Sequence, residues 1–145
     1  MSALPFIPLQ VAVRSILKAS TALTSKLSGG PNGILDAVPD EKPFDFVTFG
    51  DIVPVEADTH TWFGFTIDMT IDTWSRAVST GVRGKERPAA IMNEIYRLLH
   101  DCYPTVEGYE VMGFRQEMSN ILVDPDGVTY HGIQRFKILL SEVRE

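Results

Sequence analysis

WFGFTIDMTIDTWS, residues 62–75, decides the fold. Phe63, Phe65, Ile67, Met69 and Ile71 alternate with Gly64, Thr66, Asp68, Thr70 and Asp72, and Trp62 and Trp74 close the two ends. Successive side chains of a strand point to opposite faces, so this spacing gathers five large apolar groups on one side. Hydroxyls and two carboxylates gather on the other. A helix would scatter both sets around its circumference, so the period of two reads as a long strand with one buried and one polar face.

Downstream, residues 76–87 form a polar, glycine-containing connection that carries Arg76, Arg83, Lys85 and Arg87. Pro88 opens a helix that runs to Cys102, with Ile91, Met92, Ile95, Leu98, Leu99 and Cys102 as its buried stripe. Asn93, Glu94, Arg97 and Asp101 form its wet side, where Arg97 and Asp101 have the i,i+4 spacing of an ion pair. Two further strands, residues 110–123 and 128–140, flank Asp124, Pro125, Asp126 and Gly127, a tight-turn sequence.

Upstream, residues 44–49 are aromatic and β-branched and read as another strand. Residues 50–59 read as a long loop or a protruding hairpin arm, because Pro54 is unwelcome in an interior strand. Residues 34–38 are a short extended piece halted by Pro39, and residues 8–27 an amphipathic helix ended by Gly29, Gly30 and Pro31. Residues 1–7 read as an extended, proline-punctuated arm. The order gives one α+β domain over residues 1–145: a twisted, mainly antiparallel sheet of about five strands with two helices packed on one face.

Composition narrows the function. With 44% hydrophobic and 22% charged residues the chain is ordinary for a globular protein. A net charge of −6 and a pI near 5.0 argue against gripping nucleic acid by its phosphates. Cys102 is the only cysteine, so no intrachain disulfide is available and a reducing compartment is expected. The first residues lack a basic signal-peptide region, and no apolar run approaches the ~20 residues of a membrane span. The expectation is a soluble protein made in the cytosol, with no membrane partner.

Catalytic constellations do not assemble. GVRGKE, residues 81–86, has two residues between its glycines where a phosphate loop has four, and Glu86 stands where the metal-binding hydroxyl belongs. His100 and Cys102 diverge on a helix, so they share no proton. Asp68 and Asp72 lie on one strand face about 13 Å apart, too far to act on one bond. A metal site combining them with His60 or His131 is conceivable, but no spacing demands it. His131 has no nucleophile motif beside it. The sequence therefore implies no enzyme, no cofactor and no metal.

DPDGVTYHGIQRFKILL, residues 124–140, resembles the closing hairpin of the tail completion, or tail terminator, proteins of tailed bacteriophages. The resemblance extends along nearly the whole chain, in order. Ile34, Asp36, Val38 and Pro39 match an I-x-D-x-V-P piece, and Pro43, Phe44 and Val47 match a P-F-x-Y-V strand. Trp74 and Ser75 match the end of a long strand; Asp124 to Gly127, His131, Gly132, Arg135 and Phe136 match the hairpin. Phe46 stands where that family usually has an aromatic hydroxyl, and the N-terminal arm is longer.

The resemblance implies a structural virion protein, assembled in the host cytoplasm. It implies a homo-oligomeric ring, typically a hexamer, that caps the head-proximal end of the tail tube. Such a ring stops tube polymerisation and offers a joining surface to the head connector. The alternatives are a head–tail connector or stopper, a small metal-dependent hydrolase using Asp68, Asp72 and His131, and a DNA-binding module. Under the ring reading, Thr66, Asp68, Thr70 and Asp72 face the channel or a subunit interface. There carboxylates would let DNA slide past without sticking. Arg76, Arg83, Lys85 and Arg87 would pair with a neighbour or the tube protein. Asp124, Asp126, Gly127, His131 and Arg135 form the family hairpin.

Overall fold

The computed structural model describes residues 4–38, 43–57, 63–77 and 84–143. Trp62, Pro39, His60 and Arg83 lie outside that set, as do the first three residues of the arm. The elements in order are α1 (Phe6–Ala19), α2 (Thr21–Thr24), a 3-10 turn (Gly30–Gly33), β1 (Ile34–Leu35), β2 (Phe46–Glu56), β3 (Gly64–Arg76), α3 (Glu86–Leu99), β4 (Tyr109–Val123) and β5 (Thr129–Glu142). The sheet order is β1-β2-β3-β5-β4. Only β1 runs parallel to its neighbour. This is the α+β architecture the sequence implies, with β3 at the centre.

β3 shows why. Ile67, Met69 and Ile71 are fully buried, while Thr66, Asp68, Thr70 and Asp72 on the alternate positions stay half-buried. The buried row meets Ile91, Ile95 and Leu99 of α3 and Leu9, Val13 and Leu17 of α1 in one core. β5 follows the same alternation, burying Gln134, Phe136, Ile138 and Leu140, and Phe136 packs edge-on against Phe114 of β4. α3 crosses β3, β4 and β5, and α1 lies against α3 and β1. At the crossing Gly132 leaves room for α3: a Cβ there would sit 2.5 Å from the sulfur of Met92.

Several boundaries differ from the sequence expectation. The first helix starts at Phe6, so Phe6 and Ile7 are helical rather than part of an extended arm; Pro5 holds the N-cap and its carbonyl accepts from Leu9 N–H. It also ends early. Ser20 turns extended, and its hydroxyl accepts from Leu23 N–H to cap the short α2. A serine that satisfies a helix-start amide competes with helix continuation. The short extended piece at 34–38 keeps only Ile34 and Leu35 as strand.

Of the loop and the hairpin arm expected for residues 50–59, residues 50–56 form the arm, and residues 58–60 lie outside the described residues. Residues 50–56 continue β2 through Pro54 to the pair Glu56 with Phe65, with a bulge between Phe49 and Ile52. β1 covers β2 only at Val47 and Thr48, so Pro54 sits on an open edge where a missing N–H interrupts no ladder. α3 spans Glu86–Leu99, two residues earlier at its start than expected. Arg97 pairs with Glu94 at 2.6 Å rather than with Asp101, because the helix stops before Asp101, which adopts a positive φ of 61°.

Candidate functional site

The helices cover one face of the sheet; the opposite face is the candidate site. On it the register aligns Thr66, Asp68, Thr70, Asp72 and Trp74 of β3 with Leu139, Lys137, Arg135, Ile133 and His131 of β5. Val53 and Val55 of β2 flank Asp68 and Thr66, and Met118 and Leu122 of β4 flank Arg135 and His131. The strand pairing thus brings all four β3 candidates together with His131 and Arg135.

At the end near the 124–127 turn the face is held by aromatic stacking and short hydrogen bonds. His131 Nε2 lies 2.8 Å from Asp72 Oδ1, and its ring stacks on the Trp74 indole at 3.9 Å and 10°. The indole N–H donates to Thr48 Oγ1 at 3.0 Å, and the Phe46 ring stacks with the indole at 6.4 Å. Phe46 is thereby buried outside the main core. Arg76 lies over the Phe44 ring and donates through Nε to Thr129. Asp126 in turn accepts from Thr129 Oγ1 at 2.5 Å and from the amides of Thr129 and Val128. The Thr129 hydroxyl first, then those amides, hold the Asp126 carboxyl below the usual carboxylate range. Asp124 closes the turn: its amide donates to Thr129 and its carbonyl accepts from Gly127, whose φ is 74°. The family hairpin therefore stabilises itself.

In the middle of the face the charges alternate. Lys137 contacts Glu117 at 3.1 Å; that hydrogen bond, the Glu117 charge and the Asp68 charge raise the ammonium pKa. Asp68 Oδ1 is buried without a hydrogen-bond partner among the described residues. Arg135 is exposed opposite Thr70. Toward the β2–β3 arm the face turns apolar, with Val53, Val55 and Leu139 exposed at 49%, 58% and 36%.

The four basic candidates separate. Arg87 turns inward: its guanidinium is 2.9 Å from the buried Asp45 carboxylate and donates to the Arg76 carbonyl. Arg76 N–H approaches the same carboxylate at 3.4 Å. Lys85 is exposed at the mouth of a groove between α3 and β4. Arg83 lies outside the described residues.

Sequence reasoning missed Asp45, whose partner comes from a distant segment, and the exposed valines of β2. The β-branched residues Ile52, Val53 and Val55 were a usable strand signal that Pro54 masked. Among the described residues no three His, Cys, Asp or Glu side chains gather as metal ligands. Cys102 is half-buried, and burial pushes its thiol up to about 11, so it is a poor nucleophile at neutral pH.

Comparison with known proteins adds three findings. A family model described as tail completion protein gp17 matches residues 11–141. A chain in a solved structure titled virion of native gene transfer agent particle superposes with a TM-score of 0.79 at 18% identity, covering 97% of this chain and 99% of that one. No curated protein matches.

Proposed function

The chain belongs to the tail completion protein gp17 family, and from that premise we propose that this structural protein of the virion tail forms a ring, a hexamer, capping the head-proximal end of the tail tube. The cap stops tube polymerisation and presents a joining surface to the head connector. The observation that carries the reading is the uncovered sheet face. A monomer in water has little use for a stiff face that exposes Val53, Val55, Leu139, Met118 and Leu122 between rows of charge. A ring subunit needs such a face to meet another protein.

In this assembly Thr66, Asp68, Thr70 and Asp72 lie where a neighbouring copy or the tube protein closes over the sheet, with Asp68 and Arg135 as the charges that fix its register. Asp72 and His131 brace the face from within. Lys85 reaches a neighbour directly, while Arg76 and Arg87 hold the end of β3 against the helices. DNA traverses the hole without tight binding, which the net charge of −6 favours.

The test is a double substitution on the face, Asp68→Lys with Thr70→Lys, leaving the Asp72–His131 contact in place. Circular dichroism should match the parent and melting should fall only modestly, because the new lysines face Lys137 and Arg135 across the ladder, while capping of purified tubes and production of infectious particles fall at least about tenfold, the effect of ~1.4 kcal/mol at one contact. Unchanged capping and unchanged particle yield would remove this face from the assembly. Copurification of the protein with headless tails separates a tail cap from a connector that belongs to the head.

A further inference from the structure

The two edges of the sheet are treated differently. At the β2 edge, β1 covers Val47 and Thr48, a bulge follows, and Pro54 and the exposed Asp51 and Glu56 stand along the rest. These are the devices by which proteins keep other strands from pairing. Among the described residues the β4 edge is closed at its start, where Val106 bridges Tyr109, and in its middle. There Asp101 N–H donates to the Phe114 carbonyl at 2.7 Å and Gln116 N–H donates to His100 Nδ1 at 3.1 Å.

β4 carries its own bulges, between Val111 and Gly113 and between Gln116 and Met118, and beyond the latter residues 118–123, MSNILV, have neither a charge nor a proline. Met118, Leu122 and Val123 are exposed at 38%, 45% and 47%. Backbone groups in a strand alternate in direction. Asp124 N–H points inward to Thr129, so those of Ser119, Ile121 and Val123 point outward. The Ile121 amide currently donates to the side-chain oxygen of its neighbour Asn120 at 2.9 Å. Beside this edge runs a groove of about 540 Å³, walled by Ala89, Met92 and Tyr96 of α3 and floored by Ser119, Ile121 and Gln134.

We infer that residues 118–123 and this groove form a strand-acceptor site for an extended segment of another protein of the particle, one that alternates acidic and apolar residues. Six residues match the length of one added strand. Acidic side chains of the guest enter the groove toward Lys85, Asn93 and Ser119, and its apolar side chains lie on the opposite face beside Met118 and Leu122. The acidic preference follows from charge: Lys85 lines the groove that takes the acidic row. Among the described residues Lys85 has no carboxylate within ion-pair distance. The guest's outward groups replace the Asn120 cap on Ile121. The site rests on the assembly reading only for the identity of the partner as a particle protein. Its test uses the isolated chain, so failure here leaves the ring to its own measurement.

The probes are two blocked hexapeptides, one alternating glutamate and valine, the other lysine and valine. Amide hydrogen exchange of the full chain is followed with each. The glutamate peptide should slow exchange at Ser119 and Ile121 by at least about tenfold and the lysine peptide should not. Ser119→Pro should abolish the effect, because that N–H faces outward and the β4–β5 ladder does not use it. Leu122→Asp, which sets a carboxylate against the apolar row and beside the glutamates of the guest, should abolish it as well and serves if the proline variant fails to fold. No slowing with either peptide overturns the site, and equal slowing with both overturns the acidic partner. Slowing that appears with protein concentration alone replaces the partner by a second copy of this chain.

Discussion

The two faces of β3 carry equally regular rows, yet they do different work. On the covered face Ile67, Met69 and Ile71 are fully buried, and no polar partner is required of them. On the open face the same backbone presents Asp68, Thr70, Asp72 and Trp74. Each is only half-buried, and Asp72 and Trp74 are held by cross-strand contacts to His131 and Thr48. Burial secures the first row, while the second remains available to a partner. Stability and assembly should therefore separate by face.

The largest separation is expected at the core row. Ile67→Ala should cost about 2–5 kcal/mol in urea unfolding, because its neighbours in both layers cannot collapse onto the gap. A loss below about 1 kcal/mol would mean the helices do not clamp this row. Next is Arg87→Ala, which strips a guanidinium from the buried Asp45 carboxylate. Since Arg87 is half exposed, the expected cost is about 1–3 kcal/mol. Asp45→Asn in the same background should recover part of it.

On the open face, His131→Ala removes the stack on Trp74 and the contact to Asp72, with an expected cost of about 1 kcal/mol. A cost matching that of Ile67→Ala would erase the contrast between faces. Cys102 offers a check by pH. Burial raises its thiol from 9.0 to about 11, so its contribution to stability is complete below pH 9.0 and is lost as pH rises through about 11. A thiol reagent at pH 8 should react with it far more slowly than with the unfolded chain, and equal rates would place the thiol in water. The smallest effect belongs to Thr66→Ala, expected within about 0.5 kcal/mol of the parent.

How far the sequence could be read depended on where each constraint lies. The β3 alternation was legible because a period of two over so long a run has no helical counterpart. The turn at Asp124, Pro125, Asp126 and Gly127 was legible because its geometry is satisfied by neighbours in the chain. Pro54 misled because its effect depends on whether a strand lies beside it, and β1 stops short of it. Ser20 could serve as helix interior or as cap, and only the docking of α2 selects the cap. The His131–Asp72 contact joins residues 59 apart and depends on the β3–β5 register, which no local pattern fixes. The Asp45–Arg87 pair was hidden for the same reason.

The central claim is that the open face of one copy meets another protein around a hole. Mass measurement of the purified chain bound to the ends of headless tail tubes tests it most directly. Six copies per capped end are expected, and fewer for the Asp68→Lys, Thr70→Lys variant at equal protein concentration. One copy per end, or a full complement of the variant, would contradict it.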